Sequence, residues 1–332
     1  MHSLRSSFVF WSLIGGILGL LATSAAPKLT AQQTEQKPVT FDVTVTDRPG
    51  KPIQDLTKEE FSVHENGVKQ TIESFTNQKV PFSLGLVVDS SGSIRERLPI
   101  VRDTALRAIS HLSKDDEACL VRFNMEAELL EAFTNDYQKL SQELTLLQPR
   151  GGTSLFDAIY VTTHYAEQNG KHRRKALLVI TDGLEKNSVY KENQIRTLLM
   201  ENHVQVYFIY LPPPPNQNSS LFINSTTLQG RELLSQLAEI SGGQAFFPKK
   251  PDEAPDFAEQ VIETLRHQYQ ISYLPTEQNQ DGKWRKVKVG VSPKTDRQLA
   301  VTTRPGYFAP GHVTEREKEE RKKAEKQRKK KP

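Results

Sequence analysis

The chain has 332 residues, 36% hydrophobic and 25% charged, the balance of a soluble globular protein rather than a collagen-like, disordered or multi-span membrane chain. Its single cysteine, Cys119, excludes an intrachain disulfide framework and any cysteine-built zinc or iron–sulfur site. The formal net charge is +4, but residues 315–332 hold ten Lys/Arg against five Glu, so residues 1–314 are slightly acidic and no nucleic-acid-binding stripe is expected on the body.

Residues 1–31 read as a secretory signal. Arg5 stands at the start with no acid nearby, an apolar run follows from Phe8 to Ala22, and cleavage points lie after Ala25 or Ala31. The run is shorter than the ~20 residues of a membrane span and is interrupted by glycines, so a cleaved signal is favoured over an anchor. An exported protein of the periplasm, cell envelope or extracellular space is therefore expected, and Cys119, lacking a partner, is compatible with that setting.

From Val39 to Val45 apolar residues alternate with polar ones, predicting a half-buried strand. Thr57 and Glu60 are spaced as a capping box. Phe61–Glu65, Asn66-Gly67 and Val68–Phe75 predict a hairpin. At Pro81 the pattern changes. Leu84–Val88, Ala118–Phe123, Ala176–Ile180 and Val204–Tyr210 are short apolar runs, as in strands covered on both faces. Helical spacing occurs over Leu98–Leu112, Tyr137–Leu147, Ser154–Gln168, Ile195–Met200, Leu233–Ile240 and Phe257–His267. This alternation over residues 81–267 predicts an α/β domain with a doubly wound, mostly parallel, Rossmann-like sheet. After His267 the strand pattern returns at Tyr269–Tyr273, Val287–Val291 and Leu299–Thr303. Residues 39–79 and 268–309 are each too small to bury a face alone, which predicts that they pair into one accessory β-domain. Residues 310–332 read as a charged, disordered tail.

Three loops carry candidate chemistry. Asp89, Ser91 and Ser93 follow the first core strand, Thr153 lies in Gly151-Gly152-Thr153, and Asp182 follows the strand ending at Thr181. Loops at the carboxyl ends of strands in an open α/β sheet meet in one crevice, so these five side chains are expected to converge. All offer oxygen and none offers nitrogen or sulfur, which suits a hard cation. Two carboxylates with hydroxyls and water fit magnesium, with manganese or calcium as alternatives. Such an ion keeps a position open to an anionic oxygen. Ser91 as a hydrolase nucleophile lacks a G-x-S-x-G elbow and a triad-like histidine, so no enzyme is expected.

This arrangement resembles the metal-ion-dependent adhesion site of von Willebrand factor type A domains. The flanks resemble a bacterial von Willebrand factor A-related family widespread in acidobacteria, through Val45-Thr46-Asp47, Asp55-Leu56-Thr57-Lys58-Glu59-Glu60-Phe61 and Arg304-Pro305-Gly306-Tyr307 among others. The resemblance implies that Ser91 and Ser93 bind the metal directly, Thr153 in the ligand-engaged state, and Asp89 and Asp182 directly or through water. It also implies a protein partner that completes the shell with an exposed Asp or Glu. The alternative is a structural or assembly protein of the envelope that binds through its β-domain, the metal serving only as a rigid staple. Two further features stand apart. The Pro-rich segment 211–230 leaves the same sheet edge as the metal loops, as a stiff surface loop or a specificity element. The basic tail offers electrostatic contact with an anionic envelope surface.

Overall fold

The computed structural model describes residues 37–48, 50–212, 225–292, 298–318 and 320–321. The signal segment, the Pro-rich stretch from 213 to 224 and the tail beyond 321 lie outside the described residues.

The chain opens with β1 (Val39–Thr46), β2 (Phe61–Glu65), β3 (Val68–Gln70) and β4 (Ile72–Thr76). Thr57 and Glu60 form the expected cap, the Thr57 N–H donating to Glu60 Oε2 at 2.8 Å. Asn66 and Gly67 turn the hairpin at φ of 49° and 86°, the left-handed region that a tight two-residue turn requires. The hairpin's second arm differs from the sequence reading. The run from Val68 to Phe75 breaks at Thr71, β3 pairing with β2 while β4 joins another sheet. A corner of this kind lets one chain close both faces of a sandwich.

The α/β core follows with β5 (Phe82–Asp89), α1 (Leu98–Ser110), β6 (Glu117–Phe123), β7 (Ala127–Thr134), α2 (Tyr137–Leu146), α3 (Leu155–Asn169), β8 (Arg174–Thr181), α4 (Glu192–Glu201), β9 (Val204–Tyr210), α5 (Ser225–Ser241), β10 (Ala245–Phe246) and α6 (Ala254–Arg266). The strand order is β10-β9-β8-β5-β6-β7, parallel except for β7. All eight residues of β5 are buried because both faces are covered. Leu84, Leu86 and Val88 pack with Val101, Ala105, Val261 and Ile262 of α1 and α6. Val87 points the other way, to the layer holding Ile159, Ile195 and Leu237 of α3, α4 and α5. Strand alternation thus feeds two cores from one continuous apolar run. The edge strand β7 was not legible in the sequence. Its Glu, Leu and Ala favour helix, and pairing with β6 overrides that preference.

The chain closes with β11 (Tyr269–Tyr273), β12 (Trp284–Val291), β13 (Ala300–Thr302) and β14 (Gly306–Phe308). These strands join those of the amino-terminal flank in two antiparallel sheets, β13-β1-β11-β4 and β14-β12-β2-β3. Both sheets share one apolar core containing Phe41, Val43, Phe61, Val63, Tyr269, Ile271, Val287 and Val289. The flanks meet the α/β core at the amino-terminal ends of its strands. Asp42 accepts hydrogen bonds from Arg173 at 2.6 Å and Arg174 at 3.2 Å, and Gln268 donates to Gln205 at 3.0 Å and Tyr207 at 3.2 Å. The carboxyl-terminal ends of the strands remain open for the loops.

The expectation of disorder from residue 310 does not hold for the first part of the tail. Residues 315–318 are helical, and Glu201 accepts the Glu315 N–H at 3.2 Å and contacts His312 at 2.9 Å. No described helix is long and apolar enough to cross a membrane.

Candidate metal centre

Asp89 ends β5 and is fully buried. Its Oδ1 accepts the Ser91 N–H at 2.8 Å, and its Oδ2 accepts the Thr181 hydroxyl at 2.8 Å. The first bond curls the loop so that the Ser91 and Ser93 hydroxyl oxygens lie 3.0 Å apart. Ser91 is buried and Ser93 is exposed, so the pair reaches from the sheet edge to solvent. A tight turn of six residues, Gly92–Arg97, then leads into α1.

The glycine loop is pinned beside this turn by two backbone bonds, Arg150 N–H to the Ser90 carbonyl at 2.9 Å and Gly92 N–H to the Gly151 carbonyl at 3.0 Å. Gly151 sits at φ 70°, and a Cβ on Gly152 would fall 2.0 Å from Asn187 Oδ1. Both glycines are thus required by conformation and by close approach. Asn187 Oδ1 accepts the Thr153 N–H at 3.0 Å, and the Thr153 carbonyl accepts N–H groups from Lys186 and Asn187. Thr153 is buried, and its bonds to the described residues run through its backbone.

Asp182 follows β8 and is 7% exposed. Its Oδ1 accepts the Leu184 N–H at 3.3 Å and its Oδ2 accepts from the Arg97 guanidinium at 3.1 Å. Thr181, the preceding residue, carries the bond to Asp89, so the two carboxylates belong to one bonded chain. All five residues singled out from sequence therefore lie on three interlocked loops at one sheet edge. Bonds directly link Asp89, Ser91 and Ser93, Thr181 ties the loop of Asp182 to them, and backbone bonds bring Thr153 alongside.

Sequence reasoning missed the residues that brace this arrangement. Glu185 Oε2 accepts the Phe156 N–H at 2.9 Å and Ser188 Oγ accepts the Asp157 N–H at 3.2 Å, capping α3 from a loop about 30 positions away. Such caps are invisible to local motifs because the acceptor is distant in sequence. Arg97 was missed as well, though a basic residue eight positions after Asp89 was there to be read.

Electrostatically the site is poor in counter-charge. Burial pushes the Asp89 carboxyl up to about 6, and the nearby charge of Asp182 pushes in the same direction. Bonds from Ser91 and Thr181 pull it down without cancelling the rise. A cation at this edge would relieve both causes. Among the described residues no three His, Cys, Asp or Glu side chains gather at one point, so any ion here would draw on hydroxyl oxygen as well as carboxylate.

A family model of the von Willebrand factor type A domain matches residues 84–185, which contain all five of these positions. No curated protein matches the chain. Among solved structures, BatB, a conserved hypothetical protein from Bacteroides thetaiotaomicron, is 17% identical with a TM-score of 0.45, over 55% of this chain and 98% of that one. A von Willebrand factor type A protein from Catenulispora acidiphila is 10% identical with a TM-score of 0.48, over 88% of this chain and 80% of that one. The PilB minor pilin from Streptococcus sanguinis is 15% identical with a TM-score of 0.43, over 56% of this chain and 62% of that one. Within the α/β core, residues 84–185, which run from β5 to the loop after β8 and hold the three loops of the site, are thus von Willebrand factor type A sequence.

Proposed function

We propose that the carboxyl edge of the sheet binds a divalent cation, magnesium by its chemistry, and uses it to hold an Asp or Glu side chain of a partner protein without making or breaking a covalent bond. The observation that carries this reading is the buried pair Asp89 and Asp182 beside two hydroxyl oxygens 3.0 Å apart. Neighbouring oxygens in an octahedral shell at magnesium's 2.0–2.1 Å lie about 3.0 Å apart, whereas calcium's longer bonds spread them further. Ser91, Ser93 and Thr153 would supply hydroxyl oxygen, and Asp89 and Asp182 carboxylate oxygen directly or through water. Bound there, the ion would supply a positive centre with an exchangeable position.

The non-enzymatic part of the reading rests on the neighbours of Ser91. Its hydroxyl meets Ser93 and Asp89, and no histidine among the described residues bonds to it. The one base it meets, Asp89, is assigned here to the ion, which leaves no separate group to take the proton of a nucleophile. Export to the envelope or beyond rests on the signal-like residues 1–31 alone.

Calorimetric titration with magnesium chloride tests the site. Wild type is expected to bind, and Asp89→Ala and Asp182→Ala to lose binding; equal affinity in all three proteins overturns the proposal. For the ligand, capture of envelope proteins is expected with magnesium and not with chelator. The far-UV circular dichroism should stay native, because an ion at a hundredfold excess over its Kd adds only about 2.7 kcal/mol of stability.

A second reading places binding on the β-flanks. An open groove lined by Lys58, Phe61, Ser62, Lys69, Gln70 and Ile72 favours it, since it exposes the edge strand β3. Capture that survives both chelator and Asp89→Ala would move the interaction there.

A further inference from the structure

Arg97 is the feature of this edge that the metal reading does not use. It is 7% exposed and its guanidinium makes three bonds to three different loops. It donates to the Leu211 carbonyl at 2.6 Å, the Ser93 carbonyl at 2.8 Å and Asp182 Oδ2 at 3.1 Å. Leu211 begins the segment leaving β9, Ser93 belongs to the loop after β5, and Asp182 to the loop after β8. A fixed positive charge is thus built into the floor of the site, against one of its two carboxylates.

Charge arithmetic gives this a consequence. Asp89 and Asp182 alone would present −2 and would be neutralised by one divalent ion. With Arg97 they present −1, and the loaded site carries +1. A guanidinium cannot shed its proton to relieve this. It opposes entry of the metal, in a buried setting where such opposition is weakly screened. It also leaves the loaded site one negative charge short, which a carboxylate supplies.

We propose that Arg97 is a built-in counter-charge that makes metal and anionic ligand bind as a pair, weakening the metal when it comes alone and strengthening it when a carboxylate arrives with it. This rests on the metal reading above. By linkage the coupling is reciprocal: whatever factor the carboxylate adds to metal affinity, the metal adds to carboxylate affinity. Arg97 does not touch the ion in this scheme; it acts through Asp182 and through the net charge of the edge.

The test uses the full chain, magnesium, and acetate as the carboxylate probe, with chloride at matched ionic strength as the control. In wild type, acetate is expected to tighten magnesium binding. Arg97→Met, which keeps an apolar stem and drops the charge, is expected to bind magnesium alone about tenfold more tightly and to lose the gain from acetate. Arg97→Lys, which keeps the charge without the planar fork, is expected to stay within about threefold of wild type in both respects. Thermal melts in chelator establish that each variant is folded, and Arg97→Gln replaces Arg97→Met if the latter is not. The proposal is overturned if the neutral variant binds magnesium no more tightly than wild type, or if acetate helps it as much. It is also overturned if Arg97→Lys behaves like Arg97→Met, since the fork's geometry and not the charge would then matter. Absence of magnesium binding in wild type and every variant would bring down the metal reading itself, which a failure of the Arg97 comparison alone would not.

Discussion

The two ends of the parallel sheet bury carboxylates under contrasting terms. At the amino-terminal end, Asp116 is fully buried and accepts from Arg266, from the Phe82 and Ser113 N–H groups and from the Ser113 hydroxyl. In the flanking sheets, Glu65 is buried with the Tyr273 and Tyr307 hydroxyls bonded to Oε2 at 2.7 and 2.9 Å. At the carboxyl end, among the described residues, the Arg97 guanidinium bonds Asp182 and not Asp89. Asp116 repays the cost of burial with donors on both oxygens and a guanidinium, and Glu65 with two hydroxyls on one oxygen and no neighbouring carboxylate bonded to it. The carboxyl end leaves a like-charge pair under-compensated, a condition that persists at sites kept for binding rather than for stability. The contrast supports the proposal that the carboxyl edge is the binding edge and the other a structural support.

The largest expected effect lies on the structural side. Phe41 is 1% exposed, stacks on Tyr273 with ring centroids 6.2 Å apart, and lies beneath the Arg304 guanidinium at 4.5 Å. Phe41→Ala is expected to cost about 3–5 kcal/mol of stability in urea unfolding. Magnesium affinity of the folded variant should match wild type. A parallel loss of metal affinity would show that the two ends are coupled and would break the comparison.

Asp89→Asn sharpens it from the other side. The amide can keep both hydrogen bonds, accepting from the Ser91 N–H and donating to Thr181, while removing the charge. Magnesium binding should fall at least about a hundredfold, about 2.7 kcal/mol. In chelator the variant should be as stable as wild type or more so, because a like-charge repulsion has gone. A large loss of metal-free stability would mean that Asp89 is structural after all.

How much of this was legible in the sequence differs between the same two regions. The five candidate ligands could be read because each sits at a strand end marked by an apolar run or in a glycine loop beside one, and topology alone brings strand ends together. The joining of residues 39–79 with 268–309 could be read because neither segment buries a face by itself. The compensating partners could not. Arg97 with Asp182, Glu185 with α3, and Glu65 with two tyrosines are pairings between distant positions that no local spacing announces. β7 stayed hidden because an edge strand owes its form to its neighbour more than to its own residues.

A smaller effect comes from pH. Asp89 titrates near 6 in the fold against an ordinary aspartate value of 3.8, so the folded state binds more protons between those values. In chelator, the stability contributed by Asp89 is therefore fully present below about pH 4 and is lost as pH rises through about 6. The loss is at most about 3 kcal/mol across the whole range, read as the difference between wild-type and Asp89→Asn urea profiles. Saturating magnesium should reverse the slope, since the ion favours the carboxylate. Identical profiles for the two proteins in chelator would show that Asp182 and burial do not load this edge.

The smallest effect separates the pattern from its surroundings. Ser90 is as buried as Ser91 and lies between Asp89 and it, yet its side chain turns the other way. Its hydroxyl donates to the Phe123 carbonyl at 3.1 Å and accepts from Asn124 at 3.4 Å, tying the loop to the end of β6. The bonds that position the site run instead through the Ser90 backbone, its N–H to Phe123 at 2.8 Å and its carbonyl from Arg150 at 2.9 Å. Alanine retains both. Ser90→Ala is thus expected to cost about 1–2 kcal/mol of stability, the worth of its two neutral side-chain hydrogen bonds, and to leave magnesium affinity within about twofold of wild type. Ser91→Ala should do the reverse, losing metal affinity with little change in chelator stability. Equal losses of metal affinity from both serines would mean that the loop as a whole, and not the oxygens of alternate residues, makes the site.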